Sequence, residues 1–188
     1  MPDESPTVNH AHVLFLSRAH RRYLNVLPTA QPGGDEFVLL KSVVLQGPAV
    51  SVLRAALDLQ APRTGALFGM RQGGDLSVQY VATGGLAALE PFSIEPAYLL
   101  GLTDAYRQVD PRLDWVGHWV TVPEDAFPEA VGTLALFREA QAQGLVDRDH
   151  PLLIVGWVDG QLTVRAVAAG EGRGEGREVR VVSGQDLE

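Results

Sequence analysis

Val116-Gly117-His118-Trp119-Val120-Thr121-Val122-Pro123 is the stretch on which the reading of this chain turns. Extended back to Leu113, it is mostly apolar, rich in valine and tryptophan, and ends at a proline. A strand buried on both faces reads in this way, because it has no solvent side to keep polar. Residues 113–122 are therefore expected to form a central strand. Side-chain alternation along it sets His118, Val120 and Val122 on one face.

The elements on either side fix what such a strand belongs to. FVLLKSVVL, from Phe37, reads as a strand, and Pro48 to Leu59 reads as a helix with its proline in the first turn. Gly65 to Met70 is a short apolar strand bounded by glycine. A turn at Gly73-Gly74 leads into the alternating strand Asp75 to Ala82, so the two make a hairpin. Ala97 to Gln108 has helical apolar spacing, and Phe127 to Gly144 reads as a helix stopped by its glycine. Leu152 to Trp157 and Gln161 to Val167 flank Asp159-Gly160, a strong hairpin signal. Hairpins outnumber regular strand–helix–strand units. The expected class is α/β in the α+β sense, one domain with a mixed central sheet flanked by helices. Residues 1–9 are expected to be a disordered tail and 10–35 an N-terminal extension. The domain itself spans 36–169, and 170–188 is a flexible segment with a candidate edge strand at Glu178 to Val182.

Composition sets limits on chemistry. The chain has 188 residues, 46% hydrophobic and 20% charged, enough for one domain with a full core. Cysteine is absent, which excludes disulfides, thiolate metal sites and cysteine nucleophiles. No apolar run reaches the roughly 18 residues of a membrane span and no secretory leader is evident, so a soluble cytoplasmic protein is expected. The net charge of -8 repels polyanions over the surface as a whole. Two clusters run against that balance: Arg18, Arg21 and Arg22 with His20 and Tyr23, and Arg173, Arg177 and Arg180. Cations beside an aromatic ring suit a single-stranded nucleic acid; a solvated surface is the competing reading.

The order of these landmarks resembles the JAMM or MPN family of metalloproteases and their inactive relatives, including the prokaryotic JAB-like branch. Gly65-Ala66-Leu67-Phe68-Gly69 is similar to its glycine-bounded strand, and Phe92-Ser93-Ile94-Glu95-Pro96 to the F-x-I-D-P that precedes a helix. Val116-Gly117 followed by Pro123 is similar to the frame of V-G-x-x-H-S-H-P, and residues 150–165 supply the closing strand and hairpin. The resemblance covers residues 36–169 and implies a cytidine-deaminase-like core. Active members hold zinc on two histidines and an aspartate, with a glutamate as general base and a serine at the oxyanion. Such a site acidifies a bound water. Carried over position by position, the histidines fall on Val120 and Val122 with Thr121 between them. The serine falls on Ala130, the aspartate on Thr133 and the glutamate on Pro62. No serine lies between Ile94 and Val182, and no His-x-His lies in the second half of the chain. The resemblance thus implies a member without metal or cofactor, its hydrolase activity lost, acting as an interaction or scaffold module with a protein partner or a second copy.

Other residues keep alternatives open. His118 with Glu124, Asp125 or Glu129 would make a hydrolase with relocated ligands; a hydrogen-bonded core histidine is the plainer reading. His10 and His12 form a His-x-His in the tail, where they are expected to be solvated. Trp115 and Trp119 are core or interface residues. Gly170 to Gly176 lacks the context of a phosphate loop and reads as a linker.

Overall fold

A computed structural model describes residues 16–25, 38–58, 63–84, 92–122, 127, 129–172 and 174–183. Among them, α1 spans Arg18–Tyr23, α2 Gly47–Leu57, α3 Pro96–Val109 and α4 Ala130–Ala142. The strands are β1 Ser42–Leu45, β2 Thr64–Gln72, β3 Asp75–Thr83, β4 Asp114–Thr121, β5 Leu152–Val158, β6 Gln161–Ala169 and β7 Gly176–Ser183. Local chemistry accounts for their ends. Prolines open α2 and α3, where a missing N–H costs nothing. Gly144, at φ 67°, ends α4. Asp159 and Gly160, both at positive φ, turn β5 into β6 as the sequence predicts.

The strands pair in the order β1-β3-β2-β4-β5-β6-β7, and β7 returns to β1, so the sheet is a closed barrel. This corrects the expected mixed central sheet with a cytidine-deaminase-like, JAMM-type core, because a closed barrel is not a JAMM-type sheet. Closure depends on the four-residue β1, which lies parallel to both β3 and β7. It also depends on β7, expected at an edge but paired on both sides. Neither pairing of β1 is local, so no turn signal announces it. Within Gly170 to Gly176, expected as a linker, Gly170 N–H donates to Glu175 O and Glu175 N–H to Gly172 O.

Two apolar layers result. The inner one takes residues from all seven strands, among them Val43, Leu67, Val78, Trp119, Leu153 and Val179, and α2 adds Ala49, Leu53 and Ala56. Side chains thus fill the lumen, as in other small barrels, and α2 plugs an opening. The outer layer packs α1, α3 and α4 on β2, β4, β5 and β6 through Ala19, Leu99, Phe137, Ala66, Ile154 and Val167. β4 separates the layers and is buried along nearly its whole length, as its composition predicts. Its alternation puts Trp119 inward and His118 and Val120 outward.

Among the described residues no helix is long and apolar enough to cross a membrane.

Candidate functional site

The outer face of β4 carries the residues singled out above. His118 lies in a cross-strand row with Ala66 and Leu152, and Val120 in the next row with Thr64 and Ile154. His118 is fully buried. Its Nε2 is 2.7 Å from Thr64 Oγ1, and that hydroxyl donates to Trp119 O at 2.9 Å. A hydroxyl has one hydrogen to give, so Nε2 carries the imidazole proton and Nδ1 is the bare nitrogen. Nδ1 has no hydrogen-bond partner among the described residues. Burial, followed by the positive charges of Arg18 and Arg22, lowers the His118 pKa from 6.5 to about 3. Phe92 packs beside the ring at 6.0 Å between centroids. Its φ of 61° is a conformation a bulky side chain adopts only where its surroundings hold it there.

Val120 is buried and Val122 half-buried on the same face. Val122 shares the space over Gly156 with Phe127. Thr133, on the first turn of α4, accepts a 2.8 Å hydrogen bond from Arg165 Nη1. Arg165 pairs across the sheet with Ile154, which pairs with Val120. Its guanidinium lies 5.3 Å from the Phe127 ring centre, and its Nε is 3.6 Å from Glu178 Oε1. Val120, Val122 and Thr133 therefore meet one end of the outer face, under a cation. Thr121 points the other way: its hydroxyl accepts from Arg63 N at 2.8 Å and ties β4 to the start of β2. Pro62, Glu124, Asp125, His10, His12 and Arg173 lie outside the described residues, as does the side chain of Ala130. Among the described residues no group of three or more His, Asp or Glu side chains is placed to hold a metal ion.

The arginine cluster of α1 is divided among different tasks. Arg18 stacks on Trp115 at 3.7 Å, donates from Nη1 and Nη2 to Leu145 O at 3.1 Å, and pairs with Asp147 at 3.2 Å. Desolvation lowers its pKa to about 10, against the pull of Asp147. Arg22 donates to Gln143 O at 2.8 Å and Gly144 O at 3.2 Å. Both cations thus sit at the C-terminal end of α4, where unpaired carbonyls and the helix dipole favour them. Arg21 is half-buried and Tyr23 exposed. Arg177, from the second cluster, donates to Leu40 O. Asp147 in turn accepts from the N–H groups of Asp149 and His150 and from His150 Nδ1 at 2.7 Å. Burial alone would raise its pKa, but His150 and Arg18 outweigh that and hold the carboxylate well below its usual range.

A cleft that the sequence reading missed opens between α2, the β5–β6 hairpin and β7, with a volume of about 720 Å3. Its walls are Leu45, Val50, Trp157, Leu162, Val164 and Val181, with Arg54 beside them. The signal available was the alternation of apolar Leu162 and Val164 with polar Thr163 and Arg165, which sets two apolar side chains on one face of β6.

No protein-family model matches the chain, and no curated protein matches it. Among solved structures, the chain is similar to the solution structure of protein DSY2949 from Desulfitobacterium hafniense. The two are 18% identical with a TM-score of 0.55, over 75% of this chain and 92% of that one. At that identity the likeness concerns the fold alone.

Proposed function

We propose that this protein is a non-catalytic interaction or scaffold module, a degenerate relative of the JAMM/MPN metalloproteases in which the zinc centre has been replaced by packing. The observation that carries this reading is the group formed by Val120, Val122, Thr133 and Arg165. Two alkyl side chains stand where the resemblance implies imidazoles, and neither has a lone pair to give a metal. The Arg165 guanidinium, bonded to Thr133 at 2.8 Å, lies at the same end of the outer face and supplies donors, not metal ligands. The JAMM-type frame itself rests on the order of the sequence landmarks.

The alternatives have less behind them. A hydrolase centred on His118 needs an imidazole that reaches substrate, whereas this ring is sealed against Thr64 and Phe92 and resists protonation. A nucleic-acid site needs free cations, whereas Arg18 and Arg22 are engaged by α4 and its following loop. The proposal is tested by incubating the protein with zinc and a panel of fluorogenic peptide and isopeptide substrates. No turnover above the zinc-only background is expected. Turnover abolished by a zinc chelator and restored by added zinc contradicts the reading.

A further inference from the structure

The barrel is closed by pairing, yet one seam is half open. β5 pairs with β6 from Gln161 to Val167, whereas β7 pairs with β6 only from Ala166 to Ala169. At Val179 β7 leaves β6, and from Arg180 to Ser183 it pairs with β1 on its other side. Continuing the ladder would have set Arg165 opposite Arg180, Val164 opposite Val181 and Thr163 opposite Val182. Residues 161–164 are left with a main-chain edge that no described strand pairs, facing a second such edge at 180–183. About 14 Å of open edge results. The cleft of about 720 Å3 lies against this split, within the size range of binding pockets.

We propose that the split between β6 and β7 binds an extended, acidic segment of a partner protein, which adds to the barrel as a strand. Open edges of this kind select a partner by its backbone, since only an extended chain can match their alternating donors and acceptors. Trp157, Leu162, Val164 and Val181 then take every second side chain of the guest. Exposed Arg54 at the cleft and exposed Arg180 at the split are cations in a chain of net charge -8, and they favour carboxylates on the guest. The proposal rests on reading the protein as a binding module, but it concerns a surface remote in sequence from Val120 and Val122.

The test pans the full chain against a random octapeptide phage library and measures the enriched peptides by fluorescence anisotropy. Enriched sequences should alternate apolar and polar residues and carry Asp or Glu, and Arg54→Glu should weaken them by about tenfold. Hydrogen exchange with the peptide bound should slow at residues 161–164 and 180–183. The chain has no cysteine, so Thr163→Cys with Val182→Cys offers a reversible closure of the split. Its oxidised form should lose the peptide and its reduced form regain it. No enriched peptide, protection confined to other residues, or binding indifferent to both Arg54→Glu and the closed split would overturn the proposal. Zinc content measured on the same preparation reports separately on the non-catalytic reading.

Discussion

His118 is buried as a neutral base, and that choice of protonation state has a cost that depends on pH. Its pKa is lowered from 6.5 to about 3, so between those values the unfolded chain takes up a proton that the folded chain refuses. Stability is therefore lost as pH falls through this window, by about 1.4 kcal/mol per pH unit for this group. Asp147 acts in the same direction lower down: its depressed pKa gives stability that is lost as pH falls below the ordinary carboxylate range. His118→Gln keeps a donor for Thr64 and cannot titrate. Chemical denaturation of this variant followed from pH 6.5 to pH 4 should give a shallower decline than the parent, by about one proton's worth; an unchanged slope would show that His118 is not the group responsible. Arg18 gives a second prediction at this scale. Arg18→Met removes two carbonyl contacts and the partner of Asp147 while keeping some cover over Trp115, and should cost about 2–4 kcal/mol in urea denaturation. A loss below about 0.5 kcal/mol would mean that Arg18 is not a strut. The sequence showed Arg18, Arg21 and Arg22 as neighbours but not the targets of Arg18 and Arg22, because the carbonyls that engage those two lie more than a hundred residues away.

The elements were the most legible part of the molecule. Asp159-Gly160, Gly144 and the prolines of α2 and α3 each act within a few residues, and each stands where its chemistry predicts. Gly65 and Gly69 carried a meaning that only the paired strands explain. A β-carbon on Gly65 would collide with the Ala82 carbonyl oxygen, and one on Gly69 with that of Ser77. β2 also shifts register between Phe68 and Gly69 against β3, and between Leu67 and Phe68 against β4. The glycine-bounded strand is thus a place where backbones pass too closely for any side chain, at irregularities that bend the sheet toward closure. Gly65→Ala should cost about 3 kcal/mol or prevent folding, whereas Gly47→Ala, which meets nothing within 4 Å, should change thermal stability little. Equal tolerance of the two in a melting experiment would contradict this account of β2.

Closure of the barrel is the feature that local sequence reading could not reach. It joins β1 to β3 and β7 across long separations, and the strand that completes it, Gly176–Ser183, follows a glycine-rich stretch that disguised it as a tail. β7 contributes Val179 to the lumen. A chain ending at Ala169 should therefore lose cooperative unfolding by circular dichroism; retention of a full two-state transition would make β7 dispensable. Val120, Val122 and Thr133 were legible as candidate site residues, but Arg165 was not, because it reaches Thr133 from a strand whose placement depends on the whole sheet. The proposed absence of a metal at this site bears most directly on function. Equilibrium dialysis against zinc followed by metal analysis by mass spectrometry tests it: the account predicts far less than one zinc per chain, and one tightly held zinc per chain that survives dialysis into buffer would contradict it.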